Sequence, residues 1–287
     1  MIWDFPYDST SAITQLLEKN NLALTKKFGQ NFLINLNTLD KIASSIVPLE
    51  GKSVWEIGPG IGQLTKQLLL KGSYVTSFEI DRGFCKILRE QAFKDVENFT
   101  LVEGDALKTL FEQKEKPDYI FGNLPYNVGS VIIATLIEKG ILVDQQVYTL
   151  QKEVALRMEA KENTKLYNPL TILVQNDYIV EKLFDIKGGS FFPPPNVTSV
   201  TIKLTKRDKP LVEPHLKDDF LLLVKELFAN RRKTIRNNFL LGSLKNRFDE
   251  TLFLNALNEV NLKESLRAET IPIEKFIQLA KLLFPSL

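Results

Sequence analysis

Three observations in this sequence predict an α/β fold followed by a small all-helical domain. Short apolar runs alternate with helically spaced stretches as far as about residue 206. A glycine-rich turn, "EIGPGIGQLT" (56–65), follows the first strong run. Beyond residue 214 the strand-like runs stop and only helical patterns remain. Alternation of this kind implies a mostly parallel sheet with helices on both faces.

The elements follow in order. Ile13, Leu16 and Leu17 give residues 1–25 an amphipathic helix. "SVWEI" (53–57) is a short apolar strand broken by Gly-Pro-Gly. In "IGQLTKQLLLKG" (61–72), Ile61, Leu64, Leu68 and Leu69 share one helical face, and Gly72 caps it. "SYVTSFEI" (73–80) is the next strand and "GFCKILREQAF" (83–93) the next helix. "FTLVEGD" (99–105) is a strand entering a tight turn, and "PDYIFGN" (117–123) is another. "SVIIATLIEKG" (130–140) is a glycine-capped helix, "QVYTLQ" (146–151) a strand, and "TSVTIKLTK" (198–206) an alternating, partly exposed strand. "KRDKPLVEP" (206–214) is polar and proline-bounded, as a linker is. Helices are expected at 218–230, 231–239, 251–258 and 273–284. The expected domains are an extension over 1–25, a cofactor-binding domain over 26–207 and a helical domain over 208–287.

Composition excludes several classes. Of 287 residues, 44% are hydrophobic and 25% charged, as in ordinary globular proteins. No apolar run reaches the roughly 18–20 residues needed to span a bilayer. The first 21 residues carry acids and lack a basic region ahead of an apolar block, so no secretory signal is expected. Cys85 and His215 are the only residues of their kinds. A disulfide framework, a cysteine-rich zinc site and Cys/His catalysis are therefore not expected, nor is any metal cofactor. A reducing, cytoplasmic setting and a monomer are. Net charge is +2, but residues 206–247 hold eleven Lys/Arg against five Asp/Glu. Such asymmetry points to a polyanionic partner.

The candidate site lies at the ends of the predicted strands. Gly58, Gly60 and Gly62 let a ligand approach the backbone at a helix N-terminus. Glu79 ends the second strand of the alternation and can accept hydrogen bonds from both hydroxyls of a ribose. Asp105 ends the third and can accept one from an adenine amino group. A dinucleotide site usually shows G-x-G-x-x-G, whereas this loop is G-x-G-x-G. Gly loop, Glu, Asp and then Asn-Leu-Pro-Tyr (123–126) look like an S-adenosyl-L-methionine (SAM) methyltransferase, with its Rossmann-like sheet.

Asn-Leu-Pro-Tyr resembles the [N/D/S]-P-P-[Y/F/W] motif of amino-methyltransferases. The adenine N6 lone pair is delocalised into the ring. Acceptors for its two hydrogens favour a pyramidal nitrogen with that lone pair aimed at the methyl donor. Asn123 through its side chain and Leu124 through its carbonyl supply such acceptors. Pro125 stiffens the loop, and Tyr126 offers a ring for stacking.

Seven blocks occur in order: "KKFGQNFL" (26–33), "EIGPGIGQLT" (56–65), "GNLPYN" (122–127), "LQKEVALRM" (150–158), "FFPPPNVTSV" (191–200), "NRRKTIRNNF" (230–239) and "RAE" (267–269). By these, residues 26 to the C-terminus resemble the KsgA/RsmA family of ribosomal RNA adenine dimethyltransferases. The resemblance implies SAM-dependent transfer of four methyl groups to N6 of two adjacent adenosines near the 3′ end of 16S rRNA, in the 30S subunit during its late assembly. It implies that Asn31 and Leu33 line the SAM site with Gly58, Glu79, Asp105 and Asn123, and that Phe191 stacks the target adenine opposite Tyr126. Arg231, Arg232, Lys233 and Arg236, expected within two turns of one helix, are the phosphate clamp. The chain departs from the family pattern at Asn196 and Thr198, and at Asn168-Pro169, where RNA contact rather than the reaction is at stake. The alternatives are an Erm-type 23S rRNA methyltransferase and an assembly factor whose methylation is dispensable.

Overall fold

The computed structural model describes residues 2–22 and 31–285. The stretch "KKFGQ" (26–30), part of the first block, lies outside the described residues. By internal contacts the chain divides into two units: Met1–Ala155 with Glu181–Lys206, and Leu156–Val180 with Arg207–Leu287.

Among the described residues nine strands are formed: β1 (Phe32–Leu33), β2 (Ser53–Ile57), β3 (Tyr74–Glu79), β4 (Phe99–Glu103), β5 (Tyr119–Asn123), β6 (Gln145–Gln151), β7 (Tyr178–Ile186), β8 (Phe191–Phe192) and β9 (Ser199–Lys206). The helices are α1 (Thr10–Lys19), α2 (Leu36–Ala43), α3 (Gln63–Leu70), α4 (Arg82–Ile87), α5 (Ala106–Thr109), α6 (Gly129–Glu138), α7 (Lys152–Glu159), α8 (Pro169–Asp177), α9 (Lys217–Leu227), α10 (Ile235–Leu241), α11 (Glu250–Glu259) and α12 (Ile273–Leu283).

Seven strands form one sheet in the order β4-β3-β2-β5-β6-β9-β7. Pairing is parallel from β4 to β6, and β9 runs antiparallel to β6. This is the predicted α/β class. The chain winds outward from β2 in both directions, so the strand order reverses there. That reversal opens a crevice at the carboxyl ends of the strands, the place where such sheets bind ligands. Register keeps those ends level, with Ile57 opposite both Phe78 and Gly122, and Glu79 opposite Glu103.

Residues 1–25 were set apart by sequence, yet α1 buries Ile13, Leu16 and Leu17 in one cluster with Phe32, Ile61 and Phe84. The Ser9 hydroxyl caps α1 by accepting from the Ala12 N–H at 3.2 Å. Strand β7 was not anticipated, because charged residues interrupt "YIVEKLFDI" and leave no alternation to read. The two-residue strands β1 and β8 pair with each other and are too short to carry a period.

In the second unit, Phe220, Leu223, Leu227, Phe239, Phe253 and Phe276 are fully buried in one apolar core. Phe239 and Phe253 stack with centroids 4.1 Å apart. Asn168 caps α8 ahead of Pro169, accepting from the Leu170 N–H at 2.8 Å and donating its own N–H to the Thr171 hydroxyl at 3.1 Å. The Asn-Pro departure is thus a helix start, which Pro suits.

The expected helix over 231–239 is shorter. It begins at Ile235, capped by the Thr234 hydroxyl, which accepts from the Asn237 N–H. Arg231, Arg232 and Lys233 lie in the turn before it. The cause is Asn238. Its amide donates to the Leu227 carbonyl at 2.6 Å and the Asn230 carbonyl at 3.1 Å, while its oxygen accepts from the Asn230 N–H. These bonds satisfy open carbonyls at the end of α9 and fix a turn there.

Candidate active site

The turn after β2 adopts left-handed backbone at Gly60 (φ +60°) and Gly62 (φ +95°). A Cβ on Gly60 would meet the Phe32 ring at 3.1 Å, and one on Gly62 would meet Phe93 at 2.6 Å. Glycine is therefore required for packing as well as for φ. Gly58 enters the turn by donating its N–H to the Phe78 carbonyl at 3.0 Å.

A cavity of about 340 Å³ opens over this turn. Asn31, Leu33, Gly58, Gly60, Glu79, Asp105, Asn123, Leu124, Pro125 and Tyr126 all line it, together with Glu56, Gln63, Ile80 and Phe84. All of the expected cofactor positions thus converge on one space, drawn from β1 and the ends of β2 to β5. No Lys, Arg or His lines it among the described residues. No described group of three or more His, Cys, Asp or Glu is placed to hold a metal ion.

Glu79 is 6% exposed. Its Oε2 accepts from the Gly60 N–H at 3.0 Å and its Oε1 from the Asp81 N–H at 2.9 Å. Burial pushes its carboxyl up to about 7, against those two hydrogen bonds. Each oxygen keeps a lone pair for a further donor. Asp105 caps α5 through Oδ1, which accepts from the Leu107 N–H at 3.0 Å, so its other oxygen is the one left for a ligand.

Asn123 is oriented across 92 residues of sequence: its Nδ2 donates to the Asn31 carbonyl at 3.1 Å. That bond sets which way the amide faces, with Nδ2 toward Asn31 and Oδ1 as its acceptor. Leu124 is buried, and its N–H donates to the Thr149 carbonyl at 3.1 Å. The Tyr126 hydroxyl bonds that of Ser199 on β9, a fully buried side chain, which fixes the ring's tilt. Burial raises the Tyr126 phenol pKa, and the bond to Ser199 partly offsets it.

Phe191 is not in this group. It is 2% exposed, pairs with Leu33 across β8 and β1, and belongs to the core cluster with Leu33 and Leu39. Its ring does not line the cavity.

Two buried polar residues of the lining, Glu56 and Gln63, were missed. Glu56 is 1% exposed, and its Oε2 accepts from the hydroxyls of Thr65 and Ser77. Burial pushes its carboxyl up to about 7 as well. A carboxylate inside the apolar run "SVWEI" was the signal available. Gln63 is the first residue of α3 and 5% exposed. Tyr7 supports the turn from outside, its hydroxyl donating to the Ile61 carbonyl at 3.0 Å.

The expected basic clamp divides. Arg236 pairs with Glu250 at 2.7 Å and Glu264 at 3.3 Å. Arg231 lies 3.8 Å from Glu269 and donates to the Thr164 carbonyl at 3.2 Å. Arg232 and Lys233 form no ion pair among the described residues, and Arg232 is exposed.

Comparison with known proteins agrees with this geometry. The family model for ribosomal RNA adenine dimethylase matches residues 21–283. A ribosomal RNA small subunit methyltransferase A of Borreliella afzelii (strain PKo) is 40% identical over 281 residues, covering 96% of this chain and 95% of its own length. The crystal structure of a dimethyladenosine transferase from Plasmodium falciparum matches with a TM-score of 0.69 and 28% identity, covering 85% of this chain and 94% of that one. The 23S rRNA methyltransferase ErmE shares the fold, with a TM-score of 0.65, 23% identity and coverage of 88% and 98%. Matched over nearly its whole length, the chain belongs to the ribosomal RNA adenine dimethylase family.

Proposed function

We propose that this chain dimethylates N6 of two adjacent adenosines near the 3′ end of 16S rRNA, with SAM as methyl donor and the 30S particle as substrate. The observation that carries the reading is the tethered amide of Asn123. With Nδ2 held by the Asn31 carbonyl, Oδ1 is fixed as an acceptor at the end of β5. An acceptor there suits an exocyclic amino group.

SAM, when bound, supplies an electrophilic methyl on a sulfonium. Three carboxylates and no described cation in the lining fit a ligand carrying that positive charge. Glu79 Oε1 and Oε2 hold the ribose hydroxyls, and the free oxygen of Asp105 accepts from the adenine amino group of the cofactor. Asn123 Oδ1 and the Leu124 carbonyl accept the two N6 hydrogens of the target. Tyr126, fixed by Ser199, stacks its base, a contact worth roughly 1–3 kcal/mol. The target base leaves its own stack to reach them. Transfer needs positioning more than a base, since the proton leaves the nitrogen after the methyl arrives and water takes it. Arg232 and Lys233 supply phosphate contacts from the helical unit. The chain acts in the cytoplasm, as a monomer, late in small-subunit assembly. No described helix is long and apolar enough to cross a membrane.

The test is transfer of labelled methyl from SAM to unmethylated 30S particles, with dimethyladenosine as the expected product. Transfer to naked 23S rRNA and none to 30S particles would overturn the proposal in favour of an Erm-type activity.

A further inference from the structure

The Tyr126 ring is fixed by a bond made outside the cavity. Ser199 is fully buried on β9 and does not line the cavity, and its hydroxyl bonds that of Tyr126. A buried hydroxyl needs a partner, and this one finds it on a half-buried ring of the cavity wall. The backbone on both sides of the pair is pinned. Ser199 pairs with Gln151 across β9 and β6, and the Thr198 carbonyl accepts from the Lys152 N–H at 2.9 Å. The Leu124 N–H donates to the Thr149 carbonyl of β6. Of the aromatic rings in the lining, Phe32, Phe78 and Phe84 are buried, and Tyr126 is the one in the turn that carries the two acceptors. Its tilt therefore sets the plane that a stacked base takes there.

Two successive transfers give that tilt unequal weight. In the first, the N6 lone pair attacks the methyl carbon, the carbon–sulfur bond breaks with its electron pair going to sulfur, and N6 then gives one proton to water. The nitrogen now bears one hydrogen and one methyl. For the second transfer its lone pair must face a fresh methyl donor. Only one of the two acceptors, Asn123 Oδ1 or the Leu124 carbonyl, still has a hydrogen to accept. Two hydrogen bonds and a stacked ring orient the first substrate, whereas one hydrogen bond and the ring orient the second.

We infer that the bond between Ser199 and Tyr126 holds the monomethylated base for the second transfer, which makes Ser199 a positioning residue that sets dimethylation against monomethylation. This rests on the reaction proposed above.

The test follows single turnovers of the full chain with SAM on unmethylated 30S particles. Monomethyl- and dimethyladenosine are measured over time by mass spectrometry. Ser199→Ala and Tyr126→Phe remove the bond from opposite ends. In each, both transfers are expected to slow and the ratio of the second rate to the first to fall about fivefold, the scale of one hydrogen bond, so that monomethyladenosine accumulates. The double variant should lower the ratio no further than either single one, because all three lack the same bond. Tyr126→Phe decides the matter where Ser199→Ala does not fold. An unchanged ratio in Tyr126→Phe, or a ratio that falls in Ser199→Ala alone, would mean that the bond only supports the fold, and would overturn the inference. Wild-type protein that yields neither product would overturn the reaction proposed above instead.

Discussion

The cavity of the first unit and the basic turn of the second both concentrate charge, and they treat it in opposite ways. In the cavity, Glu56 and Glu79 are buried against hydroxyls and backbone N–H groups with no described cation beside them. In the basic cluster, Arg231 of the turn and Arg236 of α10 are already matched by Glu269, Glu250 and Glu264 of the same unit. A buried carboxyl with no cation beside it is costly to ionise, which raises its pKa, and it persists where a ligand needs it. Compensated surface charge is mostly structural. A count of charges in sequence cannot separate the two cases, but their partners can.

The largest expected effect breaks the cavity side of this contrast at its acceptor. Asn123→Ala is expected to lower methyl transfer by roughly 10²–10³-fold, the scale for loss of one positioned polar group at a reacting atom. Binding of S-adenosylhomocysteine should fall much less. Single-turnover transfer measured beside calorimetry separates the two. A parallel loss of binding would mean that Asn123 holds the cofactor rather than the target.

Next comes pH, which tests whether the cavity acids respond to a ligand. The carboxyl of Glu79 is raised to about 7 in the free protein by burial. Donors from a ribose favour the ionised form, so the bound carboxyl titrates lower and binding releases a proton. Cofactor affinity should therefore be constant above about pH 7 and fall as pH drops below it, by up to about tenfold per unit. Glu79→Gln should weaken binding at about pH 8 and flatten its share of that dependence. Stability of the free protein runs the other way. Glu56 and Glu79 titrate higher folded than unfolded, so their contribution is full below their unfolded values, near 4.5, and is lost as pH rises through about 7. Thermal melts of the free protein should accordingly drop from about pH 5 to about pH 8.

The basic turn gives a smaller effect. Arg232→Ala with Lys233→Ala should weaken binding to 30S particles several-fold and reduce the salt slope by roughly one per residue removed. Arg236→Ala should leave the slope nearly unchanged and lower the melting temperature of the helical unit, because its guanidinium is held by Glu250 and Glu264. Equal slopes for the two variants would erase the distinction between free and paired cations.

Much of this was legible before any coordinates. The positions of Gly58, Glu79, Asp105 and Asn123 at strand ends follow from alternation and turn residues alone, since a parallel sheet sends every carboxyl end to one side. What was hidden depended on pairing across distance. Nothing local shows that the Asn31 carbonyl fixes the Asn123 amide, or that Asn238 holds a turn eight residues before itself. Phe191 reads as a stacking ring from its motif, and its place in the core beside Leu33 and Leu39 goes with a two-residue strand that no periodicity announces. Gln63 carries no signal at all in sequence. It becomes conspicuous only when its buried amide is seen without a partner.

The smallest effect concerns how the loop that carries these groups is braced. Tyr7 is 2% exposed, and its hydroxyl donates to the Ile61 carbonyl, between two glycines that give the backbone no side-chain support of its own. The aromatic cluster of Trp3, Phe5 and Tyr7 fixes the position of that phenol, with Trp3 and Phe5 stacked at 4.4 Å. Tyr7→Phe keeps the ring and removes one hydrogen bond, leaving a carbonyl less satisfied. About 1 kcal/mol of stability should be lost by thermal or denaturant unfolding. If the bond serves the cavity, the same variant should also weaken S-adenosylhomocysteine by a few-fold, because a freer turn must be ordered on binding. Loss of stability with unchanged affinity would place Tyr7 in the core alone. The N-terminal segment that carries it would then pack against the cofactor loop without tuning it.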